Sequence, residues 1–125
     1  EDWSTHMIGH ELTAVYGLDH AQTLAIVLPG VWRYKRSAKA AKVIQFGRRV
    51  LGVTTEDESS AFEESVSRTE AFWNSIGMKT RLSDYGITDP DLEEIGDRIA
   101  RHAGKIGEDG DLGRDQVVEI LRTRV

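Results

Sequence analysis

Apolar residues recur at three- and four-residue intervals from the start of the chain, at Trp3, Met7, Ile8, Leu12 and Val15, and Gly17 follows where a helix C-cap would sit. The spacing predicts a first helix over Trp3 to Tyr16. From His20 to Tyr34 the pattern loses its one-sidedness. Leu24 to Leu28 is apolar on every side, as in a helix buried among others, with Pro29 as an expected kink. Ser37 to Leu51 reads as a third helix, basic on one side, with Ala41, Ile44 and Val50 on the other and Gly52 as its stop. Asp57 to Ile76 places Phe62, Val66, Phe72, Trp73 and Ile76 on a helical period before Gly77. Met78 to Thr88 carries no such period and contains Ser83, Asp84 and Gly86, so a loop with an extended start is expected. Asp89 as N-cap, Pro90 at the first helical position and Glu93-Glu94 in the first turn predict a fifth helix reaching Ala103, closed by Gly104. After the Gly- and Asp-rich stretch from Gly107 to Gly113, Val117, Val118, Ile120 and Leu121 predict a last helix. No segment alternates with the period of a strand. The fold class expected is all-α, a bundle-like domain of six helices without internal repeat or low-complexity tract.

The length of 125 residues is that of one ordinary domain, and 39% hydrophobic with 30% charged residues suffices for a packed core. A net charge of −5 gives no general attraction to phosphate backbones, and the basic stretch Arg33 to Lys42 reads as a solvated helix face, so nucleic acid is not an expected partner. The chain has no cysteine, hence no disulfide and no thiolate ligand. That composition suits the cytoplasm, and any metal site must use His and carboxylate. The longest strongly apolar stretch, Leu24 to Leu28, falls far short of the roughly 20 residues that span a bilayer. Glu1-Asp2-Trp3 does not resemble a signal peptide, and no membrane partner is expected. The chain enters its first helical pattern almost at once, without a polar lead-in, and is therefore expected to be cut from a longer protein.

His6, His10 and His20 are three of the chain's 4 histidines, and the first two are one helical turn apart. Neutral imidazoles on successive turns suit Zn²⁺ or Fe²⁺, so the simplest pairing is His6 with His10. It is not the metalloprotease pattern, because Met7 stands where H-E-x-x-H has its catalytic Glu. A His pair at this spacing is equally compatible with surface or packing roles. A catalytic ion also takes about three or four protein ligands, which leaves any such site incomplete.

The run from Asp2 through His6-Met7-Ile8-Gly9-His10-Glu11 to Leu12, followed by Tyr16-Gly17-Leu18-Asp19-His20-Ala21-Gln22-Thr23-Leu24 and on to Pro29, resembles the signature of the iron-containing (group III) alcohol dehydrogenases. Leu82-Ser83-Asp84-Tyr85-Gly86 and the closing helix are similar to the butanol-dehydrogenase and NADPH-dependent aldehyde-reductase branch. The resemblance covers essentially the whole chain. It implies the C-terminal helical, metal-binding domain over residues 1–125 of an enzyme that interconverts alcohols and aldehydes with NAD(P)(H), a homodimer when intact. It further implies that His6 and His20 are two ligands of a divalent ion, Fe²⁺ or Zn²⁺, which corrects the simpler pairing. His10 then lies beside the metal and the nicotinamide as a proton relay or substrate polariser, and Asp19 and Gln22 flank the second ligand as orienting or capping residues.

The resemblance puts the family's other two ligands on a separate Asp-x-x-x-His segment upstream of the run quoted above, and its Gly-Gly-Gly-Ser phosphate loop in an N-terminal α/β domain; neither is among these 125 residues. The fragment alone is therefore expected to be inactive. Asp19 and Ala21 replace the Pro and Gly that many relatives place around the second ligand.

Glu108-Asp109-Gly110-Asp111 is not an EF-hand, since Gly110 and Leu112 fall where oxygen ligands are required. By family analogy this loop rims the active-site cleft. His102 reads as a helix C-terminal dipole partner, and Trp3, Trp32, Phe72 and Trp73 as core or inter-domain contacts. The rival reading is a free-standing helical domain that binds a partner through bare apolar faces.

Overall fold

The computed structural model describes residues 3–125, so Glu1 and Asp2, the latter opening the signature-like run, lie outside the described residues. In order along the chain come α1 (Ser4–Tyr16), α2 (His20–Tyr34), α3 (Arg36–Val50), α4 (Glu58–Ser75), a 3₁₀ turn (Leu82–Tyr85), α5 (Leu92–Ala103) and α6 (Arg114–Arg122). Extended pairing among the described residues is confined to an isolated antiparallel bridge between Ile106 and Leu112, which pins the ends of the Gly- and Asp-rich loop.

The helices pack in sequential pairs, α1 on α2, α3 on α4 and α5 on α6. Contacts of α1 with α5 and of α2 with α6 join the first pair to the last, while α2 also touches α3 and α4. One core forms between α1, α2, α5 and α6, around Ile8, Leu12, Ile26, Ile95, Ile99 and Leu121. A second, smaller core forms between α3 and α4, around Val43, Ile44, Phe62 and Val66. The pairs close tightly where glycine lies at the crossing. A Cβ at Gly47 would stand 1.9 Å from Ser65 Oγ, a separation no side chain could hold.

Several boundaries differ from the sequence pattern for identifiable reasons. α2 keeps the expected bounds, with Pro29 inside it. The third helix starts at Arg36 and follows α2 after the single non-helical residue Lys35. The fifth helix is capped by Asp91, whose side chain accepts from the Glu94 amide at 3.1 Å, and not by Asp89. The Pro90 carbonyl accepts from Leu92 N–H at 3.0 Å in the approach turn, which leaves Pro90 outside the helix. Inside the expected loop the 3₁₀ turn buries Leu82, whose N–H donates to the Arg124 carbonyl at 2.9 Å.

Periodicity also overstated burial at the ends of the second pair. Val50 is 66% and Ile76 64% exposed, and Phe72 and Trp3 are exposed as well, while Trp32 and Trp73 are half-buried. The basic stretch is not simply solvated. Lys35 is buried and bonds both Asp109 at 3.2 Å and Asp111 at 3.1 Å, and Lys39 reaches Glu108 at 2.7 Å. Burial pulls the Lys35 ammonium down, but its hydrogen bonds and charge contacts with Asp111 and Asp109 more than offset this and raise it above the usual lysine range. The loop expected to rim a cleft is thereby tied to the joint between α2 and α3.

Candidate functional site

Two local features aim the histidines at one another. On α1, His6 and His10 are one turn apart, so their side chains share a face. On α2, His20 is the first helical residue, and a capping box fixes that start. Asp19 accepts from the Gln22 amide at 2.9 Å, and Gln22 Oε1 accepts from the Asp19 amide at 2.9 Å. Asp19 and Gln22 are therefore used in capping, and they act on His20 by setting where its helix begins. Between the two helices, a Cβ on Gly9 would come within 2.6 Å of Thr23 Oγ1, so the absence of a side chain there lets α1 and α2 approach. Thr23 Oγ1 in turn donates to the His20 carbonyl at 2.8 Å.

The three rings meet at this crossing. The centroids of His6 and His20 are 5.2 Å apart and those of His10 and His20 6.1 Å, while the Trp3 indole packs against His6 at 5.0 Å. His6 is half-buried, and His10 and His20 are exposed. His6 Nδ1 is buried and has no hydrogen-bond partner among the described residues. A buried polar nitrogen without a partner is costly unless something absent from the chain satisfies it. Imidazole nitrogens on His6 and His20 could serve as ligands of a borderline divalent ion. Among the described residues no group of three or more His, Cys, Asp or Glu side chains is arranged to hold a metal. The donor set present thus fits part of a metal site.

Next to His10 lies a feature that the sequence pattern did not expose. Glu11 is only 8% exposed, yet it is charged. Its carboxylate accepts from Arg98 Nε at 2.6 Å and lies 2.7 Å from His102 Nδ1. Burial pushes the Glu11 carboxyl up, but the hydrogen bonds and charges of His102 and Arg98 outweigh it and hold the group below the usual carboxylate range. His102 is therefore bound to a carboxylate of α1 and does not act only on its own helix end. Arg98 and His102 are four residues apart on α5, and Glu11 falls at helical spacing from Ile8 on the apolar side of α1; these were the available signals. Met7, His10, Glu11, Ile99, His102 and Ala103 line a half-open hollow of about 180 Å³. Larger open grooves, of about 530 and 540 Å³, run along α3 and the start of α4 and contain no histidine. The smaller hollow shares His10 with the histidine cluster.

Comparison with known proteins matches residues 1–125 to the model of the Fe-containing alcohol dehydrogenase family, C-terminal. The chain is 41% identical over 116 residues to the NADPH-dependent aldehyde reductase YqhD of Escherichia coli, a match covering 92% of this chain and 30% of that protein. It is 38% identical to a probable NADH-dependent butanol dehydrogenase 1 of Bacillus subtilis, over 97% of this chain and 32% of the relative. A solved substrate- and cofactor-free form of YqhD superposes with a TM-score of 0.94 at 39% identity, over 100% of this chain and 33% of that one. The chain thus spans less than half the length of the relatives it matches, and its helices correspond to one part of them.

Proposed function

The chain belongs to the Fe-containing alcohol dehydrogenase family, and from that premise we propose that it supplies the metal side of an NAD(P)(H)-dependent enzyme interconverting alcohols and aldehydes. The observation that carries this reading is the convergence of His6 and His20, with ring centroids 5.2 Å apart, together with the buried Nδ1 of His6, which has no partner among the described residues. His6 and His20 hold a divalent ion, Fe²⁺ or Zn²⁺, with the remaining ligands supplied by an α/β nucleotide-binding part outside these 125 residues. When bound, the ion polarises the substrate oxygen while the nicotinamide exchanges hydride with the substrate carbon.

This chain's own residues do the rest. His10, on the same face of α1 as His6 and 6.1 Å from the His20 ring, takes the proton from an alcohol or returns it to the product oxygen. Trp3 packs on His6 and restricts that ring. The capping box at Asp19 and Gln22 and the close approach at Gly9 keep His20 in register with α1.

Replacement of His20 by Ala in the full-length enzyme is expected to abolish metal retention and turnover together, measured as metal content per protomer and aldehyde-dependent NADPH oxidation. Normal metal content in that variant would overturn the ligand assignment. The isolated 125-residue chain is expected to be inactive with butanal and NADPH, and activity there would overturn the two-part reading. A partner-binding helical domain is the competing reading, favoured by the exposed Val50, Phe72 and Ile76. Its signature would be self-association or partner capture through those faces, with the histidines dispensable.

A further inference from the structure

Glu11 is a buried charge one residue from His10. Its two partners on α5, Arg98 at 2.6 Å and His102 at 2.7 Å, reach it from the solvent side, Arg98 half-buried and His102 exposed. A buried ion pair is weak evidence for stability, since apolar residues of similar volume in its place are often neutral or stabilising. What the carboxylate supplies is direction, because charge-assisted hydrogen bonds to two residues one turn apart fix the register of α1 on α5. The same turn of α1 is fixed on another side by α2, where Gly9 lets Thr23 approach so closely that a Cβ would lie 2.6 Å from its Oγ1. His10 falls between Gly9 and Glu11 in the chain, and its side chain is exposed, so its place depends on the backbone turn that carries it.

Resting on the oxidoreductase reading, we propose that Glu11 is a positioning residue for His10, holding the imidazole in place for proton exchange with the substrate oxygen by tying α1 to Arg98 and His102. Proton transfer needs heavy atoms about 2.6 to 3.2 Å apart, or one water between them. A shift of α1 along α5 by much less than a helical turn therefore slows the reaction. His6 and His20 keep their mutual placement without Glu11, because the contact that joins their helices runs through Gly9 and Thr23. Loss of Glu11 thus acts on the proton step and spares the metal ligands.

The test uses the full-length enzyme with NADPH and butanal, and follows metal content per protomer, unfolding temperature, kcat, KM and the solvent deuterium isotope effect on kcat. Glu11→Leu puts an apolar side chain three residues after the buried Ile8 and leaves Arg98 and His102 free to turn to solvent. It is expected to keep metal content and KM, to lower kcat about tenfold and to raise the isotope effect. Arg98→Met removes one of the two ties at a half-buried position and is expected to lower kcat in the same way by about threefold, which decides the matter if Glu11→Leu does not fold. A lower unfolding temperature with wild-type kcat and isotope effect would overturn the assignment and leave Glu11 as a structural tie between α1 and α5. Loss of metal in step with kcat would also overturn it, by placing Glu11 behind the ligands. Wild-type enzyme that reduces no aldehyde and oxidises no alcohol would overturn the oxidoreductase reading, and this inference with it.

Discussion

Gly9 lies between His6 and His10, and its lack of a side chain decides how near α2 comes to them. A Cβ there would meet Thr23 Oγ1 at 2.6 Å and Thr23 Cβ at 3.2 Å, and Thr23 is bonded to the His20 carbonyl. Gly9→Ala is expected to cost about 1 to 3 kcal/mol in urea denaturation, because packed helices yield little to an added methyl group. In the full-length enzyme the same change should lower metal content, since His20 moves with Thr23. The double variant Gly9→Ala, Thr23→Ala should recover part of the lost stability, and additive losses would locate the strain elsewhere. The three histidines were legible because their spacing is a one-dimensional property. The ties of Glu11 to Arg98 and His102 were not, since those partners are 87 and 91 residues away and only packing of α1 on α5 joins them.

Among the elements, the ends are where sequence and structure part. The sequence pattern puts the cap of the fifth helix at Asp89, ahead of Pro90, whereas hydrogen bonding puts it at Asp91, which accepts from the Glu94 amide. Asp91→Ala is expected to cost about 1 kcal/mol by thermal or urea unfolding, whereas Asp89→Ala should stay within about 0.5 kcal/mol. A reversed order would mean that the helix begins earlier. Apolar period and capping signals together predicted every α-helix, yet the period placed Val50, Phe72 and Ile76 on packed faces that the structure leaves exposed. Period reports which side of a helix is apolar; whether another element covers that side depends on the arrangement of the rest.

Across the whole molecule, Arg124 joins pieces that are distant in the chain. It is 1% exposed, donates from Nε to the Ile26 carbonyl and from Nη2 to the Thr80 carbonyl, each at 2.7 Å, and pairs with Glu70 at 3.1 Å. Glu70 also pairs with Arg33 at 3.0 Å, so one network links α2, α4, the segment before the 3₁₀ turn and the C-terminus. Arg124→Ala is expected to cost about 3 kcal/mol or more, because it strands two buried carbonyls and half of a carboxylate's partners. A fall in the denaturation midpoint no larger than that of Asp91→Ala would refute that central role.

By itself the sequence determined the helical class, the number of long helices, the His6, His10 and His20 cluster and the family signature around it. These follow from spacing, caps and residue chemistry within a few turns of chain. Tertiary structure decided what depends on neighbours far along the chain. It set the glycine-mediated approach that brings His20 to His6, the burial of Glu11, Lys35 and Arg124 with their partners, and the hollow shared by His10 and His102. The physical reason is that desolvation and hydrogen bonding act between surfaces in contact, and a periodic pattern records only that a surface is available for contact.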